Sequence, residues 1–120
     1  LKVMGKEIYV TDERYLDMAT AVSGSGPAYV FLFMESLAQA AVAIGLPQDI
    51  ARELVSQTVL GSSDFAQKSE KELAELRKMV TSPGGTTAEA IKVFEEGHLR
   101  ELARRAVAAA YTKAKKLGNQ

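Results

Sequence analysis

The sequence predicts an all-α fold, on three observations. Apolar residues recur at three- and four-residue spacing over most of the chain, helix start and stop signals separate these runs, and only one short segment has a β-rich pattern. That segment, Lys6-Glu7-Ile8-Tyr9-Val10, comes first. A lone strand leaves its backbone donors unpaired, so it is expected to be left over from a preceding domain whose sheet lies outside this chain. Residues 1–11 are therefore assigned to that tail and a linker, and residues 12–120 to one helical domain.

The first helix is expected from Asp12, a good N-cap, to Ser23. The next, from Pro27 to Ile44, is apolar on every side: Val30, Phe31, Leu32, Phe33, Met34, Leu37, Val42 and Ile44 are interrupted only by Glu35, Ser36 and Gln39. A helix apolar all round is either central to a larger core or spans a membrane, and these breaks leave no run near the roughly 20 apolar residues that a span needs. It reads as a core helix. A 120-residue chain has a modest interior, so this helix is wrapped more easily if a second copy contributes. The fold expected is thus a helical bundle forming an intertwined homodimer.

Gly45 and Pro47 end that helix and start another, which runs to about Lys68. Ser69 with Glu72 reads as a capping box for a helix from Glu70 to Met79. A further helix from Thr87 to Glu96 is closed by Gly97. The last, from Leu99 to Leu117, sets Leu99, Leu102, Ala106, Ala110 and Ala114 on one stripe, with Arg104, Arg105, Lys113, Lys115 and Lys116 elsewhere.

Composition narrows the function classes. Fifteen Lys and Arg balance fifteen Asp and Glu, so no long-range field draws the chain to nucleic acid or an anionic membrane. The basic residues of the last helix read as a solvated face that complements the helix dipole. With no cysteine and one histidine there is no disulfide framework, thiol nucleophile or multi-histidine metal site, and a reducing cytoplasm is the expected setting. The chain begins at Leu1 without a basic and then apolar leader, so it reads as a fragment with no signal peptide.

Two glycine-rich stretches are candidates for chemistry. Thr81-Ser82-Pro83-Gly84-Gly85-Thr86-Thr87 combines a fixed proline φ, a permissive glycine pair and two threonines ahead of a helix, a composition suited to presenting backbone N–H groups to a carboxylate or phosphate. Its bland alternative is a helix connection in which Thr86 caps and Glu89 completes a capping box. Ser23-Gly24-Ser25-Gly26-Pro27 contains GxG, but Tyr29 stands where a third glycine would be needed and no strand precedes it. It is a bend with a serine cap and Pro27 in the first helical position, or a contact for a cofactor held by another domain. His98 reads as a capping or surface residue, and Glu35, an acid inside an apolar helix, as one that needs a partner.

The order and spacing of Ser23-Gly24-Ser25-Gly26-Pro27-Ala28-Tyr29, Gly45-Leu46-Pro47, Gln57-Thr58-Val59-Leu60-Gly61, Val80-Thr81-Ser82-Pro83-Gly84-Gly85-Thr86-Thr87 and Glu95-Glu96-Gly97 resemble the C-terminal domain of pyrroline-5-carboxylate reductase over nearly the whole chain. The resemblance implies a two-domain enzyme that reduces 1-pyrroline-5-carboxylate to proline with NADPH or NADH. The cofactor would be held mainly by a Rossmann domain preceding Leu1, so this chain alone would bind none and be inactive. It implies a homodimer, assembled further into a decamer as a pentamer of dimers, with no nucleic acid, membrane or metal involved. The substrate would meet Val80, Ser82, Gly85, Thr86 and Thr87: Ser82 and the backbone of Gly85 and Thr86 at its carboxylate, and the Thr87 hydroxyl at the ring nitrogen. Ser25, Gly26 and Pro27 would lie near the nicotinamide. The competing readings are a non-catalytic helical dimerisation module and, further off, a helical nucleic-acid binder.

Overall fold

The computed structural model describes residues 2–3, 6–7 and 12–119. Six α-helices follow one small hairpin: α1 (Glu13–Ala19), α2 (Gly26–Ala43), α3 (Gln48–Lys68), α4 (Leu73–Met79), α5 (Thr86–Glu96) and α6 (Leu99–Gly118). They belong to two units, Leu1–Phe31 with His98–Gln120 and Leu32–Gly97.

In the first unit, the strand expected alone has a local partner. Lys6–Glu7 pairs antiparallel with Lys2–Val3, in the register Lys2 to Glu7 and Val3 to Lys6. Two residues a side make a minimal two-stranded ladder, and residues 8–10 of the expected strand lie outside the described residues. Helix α1 starts as the sequence indicates: the Asp12 carboxylate accepts from the Arg14 backbone N–H at 2.9 Å and pairs with the Arg14 guanidinium at 2.8 Å. Those bonds hold the Asp12 carboxyl below its ordinary pKa.

The expected end at Ser23 is not α-helical. Thr20–Gly24 forms a π-helical turn, in which the Ser25 N–H donates to Thr20 O, five residues back, at 3.0 Å. Helix α2 then begins at Gly26, one residue earlier than expected, and Ser25 contributes its carbonyl to Ala28 N–H rather than a side-chain cap. Helix α6 packs on α1 and the π-turn. Between them runs an apolar groove lined by Met18, Ala21 and Val22 on one side and Ala103, Val107 and Tyr111 on the other.

In the second unit, α2 ends in a Schellman motif. Gly45, at φ 117°, donates to Val42 O and Leu46 N–H donates to Ala41 O, five residues back. Helix α3 buries Ala51 and Val55. The Ser69–Glu72 capping box does not form: the Ser69 hydroxyl accepts from Lys71 N–H at 3.1 Å, making a local turn, and α4 starts three residues later than expected. The left-handed residue after α5 is His98, at φ 60°, and not Gly97. Gly97 serves a different need, since a Cβ there would sit 3.3 Å from Val93 O.

The helix read as core is not buried within one chain. Phe31 is 64% exposed and Leu32 63%, and no residue of α2 is buried. Glu35 is likewise exposed, so its carboxylate is solvated and needs no protein partner. Of the described residues, the buried apolar ones are Ala21, Ala51 and Val55. Among the described residues, no helix is long and apolar enough to cross a membrane.

Candidate functional site

The segment from Val80 to Thr87 lies wholly in the second unit, between α4 and α5. Its first residues are tied to the helix before it. Val80 N–H donates to Arg77 O at 3.2 Å, Thr81 N–H to Lys78 O at 3.1 Å, and the Thr81 hydroxyl to Arg77 O at 2.5 Å. Sequence reasoning missed this last bond, although a threonine four residues beyond a helical carbonyl is a known back-bonding pattern.

Ser82-Pro83-Gly84-Gly85 is a β-turn closed by Gly85 N–H to Ser82 O at 3.0 Å. Pro83 stands at its second position and Gly84, at φ 74°, at its third, the signature of a type II turn. A Cβ on Gly85 would crowd Ser82 O at 3.2 Å, so glycine is favoured at Gly84 by its backbone angle and at Gly85 by closeness. The turn delivers the chain into α5 with Gly85 as N-cap.

Two details of the sequence-based picture change here. Neither threonine caps α5: Thr86 is already its first residue, and no side-chain cap bond is made. The Gly85 N–H expected to meet an anion is committed to Ser82. The donors left over are those of the first helical turn, Thr86, Thr87 and Ala88, whose N–H groups have no carbonyl one turn behind them in the helix. The first intrahelical bond is Glu89 N–H to Gly85 O, at 3.3 Å.

Side chains add to these donors. Among the described residues, the hydroxyls of Ser82, Thr86 and Thr87 make no hydrogen bond within the chain, whereas those of Thr20, Ser23, Ser36, Thr58 and Thr81 all donate to a carbonyl four residues back. Thr87 is half-buried, Ser82 and Thr86 are exposed, and Val80 is a 69% exposed apolar residue at the start of the loop. A small molecule with an anionic end and a second hydrogen-bonding atom would find both kinds of partner here. The positive end of the α5 dipole favours the anion, while Glu89 in the first turn opposes it in part.

Ser25, Gly26 and Pro27 belong to the first unit, at the turn between the π-helical segment and α2. All three are half-buried. Their two neighbouring glycines differ: a Cβ on Gly24 would touch Thr20 Cγ2 at 3.4 Å, whereas one on Gly26 would meet nothing within 4 Å. Gly26 thus has open space on the side where a Cβ would stand. Nothing in this corner resembles a grip for a dinucleotide, which needs a strand, a glycine-rich turn and a helix in sequence. Among the described residues no three His, Cys, Asp or Glu cluster as metal ligands.

Residues 13–117 match the family model for pyrroline-5-carboxylate reductase dimerisation. The chain is 43% identical to pyrroline-5-carboxylate reductase of Pseudomonas aeruginosa over 120 residues, all of this chain and 44% of the relative. A solved pyrroline-5-carboxylate reductase from Coxiella burnetii superposes with a TM-score of 0.88 at 50% identity, over 92% of this chain and 41% of that one. The Plasmodium falciparum pyrroline carboxylate reductase structure with NADP bound also gives 0.88, at 40% identity, over 92% and 42%. The chain spans about two fifths of the length of these relatives.

Proposed function

This chain belongs to the pyrroline-5-carboxylate reductase family, and we propose that it forms the dimerisation and substrate-binding part of an enzyme reducing 1-pyrroline-5-carboxylate to proline with NADPH or NADH. The observation that carries the substrate assignment is the loop from Val80 to Thr87. Its type II turn leaves three N–H donors and three uncommitted hydroxyls at one helix start, matched to a cyclic imine with a carboxylate.

In this reading Ser82 and the N–H groups of Thr86 and Thr87 hold the substrate carboxylate, Gly85 shapes the turn, and Val80 packs against the ring. The Thr87 hydroxyl meets the ring nitrogen. An alkyl hydroxyl is a poor acid, so Thr87 orients the C=N group by hydrogen bonding and the proton comes from solvent or from the substrate itself. Holding carboxylate and nitrogen together fixes which face of the ring is presented, an orientation worth several kcal/mol of barrier.

The nicotinamide cofactor supplies the hydride when bound. The described residues fit a contact with its ring, at Ser25, Gly26 and Pro27, and do not fit a grip on the whole dinucleotide. We assign that grip to a nucleotide-binding domain, to which residues 1–11 are the connection. The exposed apolar residues of α2 favour a homodimer in which a second copy covers them, and the dimers assemble further as a pentamer. The same reading places the enzyme in the cytoplasm.

The test is a chimera in which this chain replaces the matching 44% of the Pseudomonas aeruginosa reductase. Light scattering should show a dimer or a multiple of it, and NADPH oxidation should depend on added pyrroline-5-carboxylate. A chimera that assembles and binds NADPH yet never turns over would refute the substrate assignment. A folded monomer would instead favour neither the dimer nor the non-catalytic dimerisation module.

A further inference from the structure

The corner between α1 and α2 contains a bond that the substrate loop does not explain. In a regular α-helix the Ser25 N–H would donate to Ala21 O, but the π-turn shifts it onto Thr20 O. The Tyr29 hydroxyl donates to Ala21 O at 2.7 Å, reaching back eight residues from the first turns of α2. Thr20 and Ser23 also spend their hydroxyls here, on Leu16 O and Ala19 O, yet these bonds tie the π-turn back to α1 and do not reach α2. Tyr29 alone of these side chains bridges the bend. Its bond is part-buried and ends on Ala21, a residue with 1% of its surface exposed.

We propose that Tyr29 is a positioning residue that latches the π-turn and so fixes Ser25, Gly26 and Pro27 in the place where they meet the nicotinamide ring. The three residues lie inside the segment that the bond closes, between Ala21 and Tyr29. A π-turn is one residue out of step with an α-helix, so its relaxation to regular helix would rotate the following residues by about 100° around the axis. Held by the hydroxyl, the open face of Gly26 keeps one direction. Without it, the segment samples both. The consequence for the cofactor rests on the reductase reading; the latch does not.

The variant is Tyr29→Phe, which keeps the ring and removes only the donor. Hydrogen exchange on the 120-residue chain should show the amides of residues 24–26 and 28 exchanging about five- to tenfold faster, with α3 and α5 unchanged. In the chimera, KM for NADPH should rise several-fold while KM for pyrroline-5-carboxylate and the melting temperature hold. Unchanged exchange would overturn the latch. Faster exchange with an unaltered NADPH KM, or with both KM values raised alike, would overturn its link to the cofactor. A wild-type chimera without turnover would count against the reductase reading alone, because exchange still decides the latch.

Discussion

Gly61 offers a test of whether a second copy also covers α3, because a covered and an uncovered face predict opposite signs. It lies in the interior of α3, is exposed, and would place a Cβ with nothing within 4 Å. Glycine inside a helix costs about 1 kcal/mol relative to alanine, and nothing in this chain requires it. Leu54, seven residues before, and Phe65, four after, fall on the same helical face and are 52% and 55% exposed. Gly61 is thus a notch between two apolar ridges, a shape that admits the backbone of a second helix. If the face were free in the dimer, Gly61→Ala would stabilise each copy by propensity alone. Two copies would gain roughly 2 kcal/mol, about a thirtyfold change in the unfolding constant. If a second copy occupies the notch, the added methyl groups collide and the dimer is weakened instead. Urea unfolding followed by circular dichroism, at one fixed protein concentration, decides the sign. A fall in midpoint is expected; a rise of the propensity size would refute the placing of this face in the dimer interface.

Thr87→Ala in the chimera should lower kcat/KM roughly 5- to 150-fold, the value of one hydrogen bond to substrate of about 1–3 kcal/mol, and wild-type steady-state kinetics would remove Thr87 from the site. Gly84→Ala forces a Cβ into φ 74°, at a cost of about 1–2 kcal/mol, and should lower the melting temperature and raise the substrate KM, whereas Gly84→Asn should do less of both. Thr81→Val keeps the β-branch but removes the hydroxyl bond to Arg77 O, leaving that carbonyl only the Val80 N–H, so the substrate KM should rise with little change in the NADPH KM. Asp12 gives a pH effect: its folded pKa is depressed by Arg14, so its support of α1 is full above the unfolded value near 4 and is lost as pH falls through the folded value. An NMR titration of the Asp12 side chain should therefore find a midpoint below that of a model carboxyl.

The sequence made the helices legible because their punctuation is local. Gly45 before Pro47 marked the Schellman end of α2, and Asp12 marked the start of α1, since each acts on groups within a few residues. Where the reading slipped, two local solutions competed for the same groups. Ser69 closes a turn on Lys71 instead of capping α4, and Gly85, in extended backbone, takes the N-cap that Thr86 was expected to fill. The π-turn had no signal of its own: Thr20-Ala21-Val22-Ser23 has the small residues of an ordinary helix, and its slip depends on a tyrosine hydroxyl reaching across the bend. The candidate loop was legible in composition, but which of its donors were free was not. That depends on the Gly85–Ser82 bond, which follows from the turn type and not from the presence of two glycines.

The proposed division of labour then follows from how little one chain buries. Ala21, Ala51 and Val55 are buried, while Phe31, Leu32 and Ile44 stand 64%, 63% and 85% exposed. Apolar area of that kind stabilises only when covered, at about 25 cal/mol per Å², so assembly and folding of this domain are expected to be one process. The candidate loop from Val80 to Thr87 inherits that dependence. Its turn and α5 are held in the unit that contains α3 and the rest of α2, where Phe33 and Phe94 stack obliquely with ring centres 6.1 Å apart. A second copy that covers α2 would therefore also steady α5, whose first turn carries the proposed anion donors. Dilution below the dimerisation threshold should remove substrate binding together with secondary structure, and loss of one without the other would separate two properties that this fold joins.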